Sequence, residues 1–121
     1  MTVAYWVVAG LLAAFYVYAG GKKLVQSPDE LRPMMAWVDS MPLAQVRAIG
    51  AVEVLGAAGL LLPPLTGVAP WLALVAAVGF VVLQVLGGAL HVRRGETSVI
   101  GLNVALVVVA AVTAWLATAW L

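Results

Sequence analysis

Apolar runs of near-equal length alternate with short polar breaks along this chain. The runs cover about 2–25, 43–62, 71–90 and 99–121, each close to the roughly 20 residues a helix needs to cross a bilayer. They predict an all-α membrane protein, a four-transmembrane-helix bundle that fills one domain over 1–121. Pro63-Pro64 reads as the end of the second run, because neither proline can donate to a helical ladder. The first run resembles a signal peptide with a small-residue site near Ala19. It lacks a basic leader, however, and its apolar stretch exceeds the usual 7–15 residues, so it reads as a retained span.

The first break, QSPDELRPMMAWVDSMP, has a different character. Ser27, Pro28 and Glu30 form a helix-start signature, with Ser at the cap, Pro at N1 and Glu at N3. Leu31, Met34 or Met35, Val38 and Met41 then recur at helical spacing. A short amphipathic segment over 27–41 follows, interfacial or folded back over the bundle, with Trp37 as an anchor. The other two breaks are an uncharged LTGVAP turn and the basic HVRRGETS loop.

Polar residues inside the apolar runs carry the remaining information. Glu53 lies well within the second run, where a carboxylate costs at least ~2.5 kcal/mol and needs a partner or a proton. Gly50, Glu53, Gly56 or Ala57, and Leu60 share one helical face. The small residues on that face admit a neighbouring helix, so Glu53 should face the bundle interior. Tyr16, Gly20 and Lys23 align on the first span; Gln84, Gly88 and His91 align on the third. Asn103 opens the fourth, and Ala110-x-x-x-Ala114 supplies a packing stripe.

All six Lys and Arg side chains lie in or beside the first and third breaks. The positive-inside rule puts those breaks in the cytoplasm and both termini on the outer side. With this orientation Lys23, Glu53, Gln84, His91 and Asn103 all fall in the cytoplasmic half. Two readings of that cluster stand side by side. Glu53 with Lys23 or an arginine forms a structural ion pair; alternatively, Glu53 and His91 are catalytic candidates exchanging protons, with Lys23, Gln84 and Asn103 holding a polar head group. Tyr16, Tyr18 and the methionines read as packing.

Composition narrows the chemistry. The chain is 65% hydrophobic and 9% charged, with a mean hydropathy of +1.13 and a net charge of +1. No basic patch exists to hold a phosphate backbone, so nucleic acid is not expected as a partner. There are no cysteines and one histidine, His91. Disulfides, iron–sulfur clusters, thiolate metal sites and bis-His haem are thereby excluded within one chain, and no metal site is expected.

Several blocks together resemble the DoxX-like family of small integral membrane proteins. They are Ala19-Gly20-Gly21-Lys22-Lys23-Leu24, then Met41-Pro42-Leu43, and Arg47-x-x-Gly50-x-x-Glu53-Val54-Leu55-Gly56-Ala57-x-Gly59-Leu60-Leu61-Leu62-Pro63. Pro70-Trp71, His91-x-Arg93-Arg94-Gly95-Glu96 and Asn103 complete the match. The resemblance implies a four-helix bundle in the bacterial cytoplasmic (inner) membrane. Some members of the wider DoxX/DoxD group are linked to quinone-coupled sulfur oxidation or to oxidoreductase assemblies, and animal relatives to membrane-protein assembly. Without cysteine, this chain departs from any thiol-based mechanism. Two expectations follow: an accessory or assembly subunit that meets other membrane subunits or its own copies, or an oxidoreductase subunit binding a quinone or isoprenoid lipid. The first reading leaves the stand-alone chain without a reaction of its own.

Overall fold

The computed structural model describes residues 2–121. Four long helices dominate: α1 (Thr2–Val25), α3 (Leu43–Thr66), α4 (Leu72–Arg93) and α5 (Ile100–Ala117). A single turn, α2 (Pro28–Leu31), and a 3-10 turn (Ala36–Ser40) lie between α1 and α3. The four long segments are long and apolar enough to cross a membrane. The fold is thus the expected all-α four-helix bundle of a multi-pass membrane protein. In the ring of helices α1 packs on α3 and α5, and α4 packs on the same two.

The buried positions explain this packing. They are Tyr5, Ala9, Leu12, Ala13, Tyr16, Ala19, Gly20 and Lys23 on α1, and Val46, Gly50, Glu53, Ala57 and Leu60 on α3. Ala73, Ala77, Phe80 and Gln84 continue the pattern on α4. Steps of three and four keep these residues on one face of each helix, the face turned to its neighbours. Lipid is as apolar as the core, so the gain comes from close contact. Alanine and glycine fill nearly half of these positions, while Val, Leu and Tyr18 point out to where lipid would lie.

Gly20 and Gly50 mark the closest approach. A Cβ on Gly20 would stand 2.8 Å from the Gly50 carbonyl oxygen, and one on Gly50 would stand 2.7 Å from that of Gly20. The α1–α3 seam is therefore backbone against backbone at this level.

The end of α3 departs from the sequence expectation. The helix runs through Pro63 and Pro64 and stops at Gly67, whose φ of 76° suits glycine. Pro64 leaves the Leu60 carbonyl without its usual donor, and the buried Tyr5 hydroxyl donates to that oxygen instead. Pro63 likewise frees the carbonyl of Gly59, a residue with no side chain of its own to crowd the bend. The termini meet at this same end, where the rings of Tyr5 and Trp120 pack edge to face at 5.3 Å.

At the opposite end, residues 26–42 fold back across the bundle as a strap. Its start matches expectation: Ser27 N–H donates to Glu30 Oε1 (3.0 Å), and Glu30 N–H donates to Ser27 Oγ (3.3 Å). Pro33 prevents one continuous helix, so the segment forms two short turns. Leu31, Met35 and Val38 pack with Ala19 and Val46 into a small core of their own. Met34, by contrast, is 60% exposed.

Candidate functional site

Lys23 and Glu53 form an ion pair, Nζ to Oε1 2.7 Å, with side-chain exposures of 7% and 4%. Local geometry explains the convergence. Each charge sits three residues after a contact glycine, Gly20 on α1 and Gly50 on α3. The helices run antiparallel, and side chains lean toward each helix's N-terminus, so the two lean toward one another. The Trp37 ring of the strap covers the ammonium at 5.6 Å.

A second polar chain crosses the bundle. Gln84 Nε2 donates to the Tyr16 hydroxyl (2.7 Å), and Asn103 Nδ2 donates to Gln84 Oε1 (2.8 Å). Phe80 stacks on Tyr16 at 3.8 Å and 7°, filling the diagonal between α1 and α4. Gly56 makes room for that ring, since a Cβ there would lie 2.5 Å from Phe80 Cζ. Tyr16 is thus a hydrogen-bonding member of the site as well as a packing residue. Tyrosine on an apolar face reads as filler until a partner on another helix is known.

His91 lies apart from both groups. Its Nδ1 faces Glu96 Oε1 at 3.1 Å, the oxygen that also accepts from Arg94 Nε at 2.8 Å. The polar contact of His91 is thus the Glu96 of its own loop, and no bond joins it to Glu53. Arg94 reaches further, donating to Ser40 Oγ and to the Ala36 carbonyl (3.2 Å) on the strap. Its hydrogen bond holds the Glu96 carboxyl below the usual carboxylate range, with His91 assisting. Arg32 does the same for Asp39, which it grips through Nε at 3.0 Å. Arg47 serves neither carboxylate. It donates to the carbonyls of Lys23 and Gln26, both at 2.6 Å, closing the α1 terminus where unpaired carbonyls collect.

The profile of the DoxX-like family matches residues 7–113. The chain belongs to that family. No curated protein and no solved structure matches it. In this DoxX-like protein the blocks that carried the resemblance occupy distinct places. The Ala19–Leu24 and Arg47–Pro63 blocks form the Gly20/Gly50 seam with its ion pair. The His91–Glu96 block forms the tether to the strap.

Two open grooves face outward from this DoxX-like bundle. One, of about 270 Å³ between α4 and α5, has Gln84, Gly88 and Asn103 among its lining residues, with valines as walls. The other, of about 360 Å³ between α3 and α4, is lined by Gly56, Gly59, Gly79, Phe80 and aliphatic side chains. Neither is lined by Lys23 or Glu53.

Proposed function

We propose that this DoxX-like protein is an accessory or assembly subunit of a membrane complex. In this reading it resides in a bacterial cytoplasmic membrane with the strap inside and both termini outside. The observation that carries it is the pairing of Lys23, Glu53, Tyr16, Gln84 and Asn103 among themselves inside the bundle. Lys23 is spent on Glu53, and Gln84 on Tyr16 and Asn103. An intramembrane carboxylate poised for proton exchange needs access to water or a ligand. Glu53 instead lies at a glycine seam under Trp37, so the pair sets helix register. What remains for such a chain is contact with other membrane subunits or with its own copies.

A second reading draws on the α4–α5 groove. Apolar walls with amides at Gln84 and Asn103 suit a quinone or isoprenoid lipid head group, and 270 Å³ is near the lower end of ligand-site volumes. Such a ligand would supply the redox chemistry, while the Asn103 amide oxygen, which Gln84 leaves free, would meet its polar end.

Native mass spectrometry of the protein extracted from its own membranes, with lipid extraction, separates the two. The accessory reading expects a stoichiometric membrane-protein partner or a homo-oligomer, unchanged by Asn103→Leu. A chain that emerges alone, carrying a quinone or isoprenoid lipid that Asn103→Leu abolishes, refutes it in favour of the second.

A further inference from the structure

The strap shares little of the bundle's stability. The bundle core holds Leu12, Tyr16, Leu60, Phe80 and Leu116, whereas Leu31, Met35 and Val38 form a separate small cluster with Ala19 and Val46, edged by Trp37 and Met41, and Phe15 touches both clusters. Segments with their own small core and little regular hydrogen bonding open at lower free energy than the elements they cover. Between its ends the strap is joined to α1 and α3 by apolar packing and by Trp37 over Lys23. Its polar tether to the other half of the bundle is Arg94, which donates to Ser40 and Ala36 while Glu96 and His91 hold it in place.

We infer that the strap is a hinged cover over the end of the α1–α3 seam, with Arg94 as its latch. Closed, it shields Val46 and, deeper along the same seam, the Lys23–Glu53 pair from the aqueous side. Released, it swings on the residues beside Val25 and Pro42 and admits water to that seam without disturbing the rest of the bundle. Arg94 suits this role because one planar guanidinium serves three acceptors on two elements, a geometry lysine cannot reproduce. Its side chain is 26% exposed, so a competitor can reach it.

The chain has no cysteine, which makes a single-cysteine accessibility test clean. Val46→Cys (1% exposed) reports on the strap; Met34→Cys (60%) and Ala77→Cys (0%) are the exposed and core controls. Each is reacted in nanodiscs with a water-soluble maleimide, with Arg94 intact and as Arg94→Gln. With Arg94 intact, Val46→Cys should label far more slowly than Met34→Cys. Arg94→Gln should raise its rate about tenfold or more, in line with losing hydrogen bonds to a charged group, while Ala77→Cys stays unlabelled. Arg94→Lys should resemble Arg94→Gln. Three results overturn the inference: equal Val46→Cys rates with and without Arg94; Val46→Cys as fast as Met34→Cys when Arg94 is intact; or simultaneous labelling of Ala77→Cys, which marks global unfolding. Slow labelling in Arg94→Lys likewise refutes the fork as the latch.

Discussion

Removing one partner of the Lys23–Glu53 pair should cost far more than removing both. At 2.7 Å, and at an effective dielectric of about 20, the gross attraction is ~6 kcal/mol. With side-chain exposures of 7% and 4%, water does little to screen it. Desolvation of each ion offsets much of that gain, so the net worth of the pair is small. A stranded ion keeps the desolvation cost and loses the attraction, and breaking buried pairs this way costs ~3–5 kcal/mol. Lys23→Met and Glu53→Gln are therefore each expected to destabilise by that amount. The double variant, which leaves no buried charge, should recover most of it.

The assay is reversible unfolding in mixed lipid–detergent micelles, read by circular dichroism for all four members of the cycle. A coupling of at least ~2 kcal/mol is expected, well above the ~0.6 kcal/mol average for hydrogen bonds between membrane helices. Additive losses would refute the reasoning. They would mean that the two groups meet water separately and that the seam is open at their depth.

Gly20→Ala and Gly50→Ala should each destabilise by ~1–3 kcal/mol, because the new Cβ meets a backbone carbonyl at 2.8 or 2.7 Å. Gly21→Ala and Gly79→Ala, where nothing lies within 4 Å, should be neutral or gain up to ~1 kcal/mol in the same assay. Tyr5→Phe should cost ~1–2 kcal/mol by stranding the Leu60 carbonyl, and much less when combined with Pro64→Ala, which restores a backbone donor; equal costs in both backgrounds would sink that account. The lowered pKa of Glu96 gives a pH test. Its carboxyl binds protons less readily folded than unfolded, so its stabilisation is full at neutral pH. That contribution is lost as pH falls below the ordinary carboxylate value of about 4. The melting temperatures of wild type and Glu96→Gln should accordingly converge on acidification; a constant gap would contradict the sign.

Much of the fold was legible because a bilayer enforces it. Span lengths follow from membrane thickness, and the Gly50–Glu53–Ala57–Leu60 face follows from helical geometry alone. Lys23 was a visible candidate for Glu53 because the basic-loop orientation puts both in the same half of the bundle. Long-range facts were not legible. The helix survives Pro64 through a hydroxyl 55 residues before Leu60, and no local signal announces such a donor. His91 and Glu53 illustrate a second limit. Counting residues from a helix end yields depth, but not the direction around the bundle, and His91 finds its partner in its own loop at Glu96. Tyr16 packs in the core as its face implies, but its hydrogen bond was hidden for the same reason: Gln84 is 68 residues away on a helix diagonal to its own.

The levels at which α1 is tied explain where motion belongs in this DoxX-like protein. Tyr5 bonds the Leu60 carbonyl at the terminal end, Tyr16 meets Gln84 near the middle, and Lys23 meets Glu53 toward the strap. Between helices in lipid, close packing and such bonds replace the hydrophobic drive that holds soluble bundles. Sliding α1 by one turn, about 5.4 Å, would break all three ties together and press the Gly20 and Gly50 backbones past side chains that do not fit. Register is therefore over-determined along the whole of α1. A mechanism in which the spans rock or slide against one another works against every one of these contacts. The inferred hinge motion therefore falls to the strap, with its separate core and its Arg94 tether, while these contacts hold the bundle fixed.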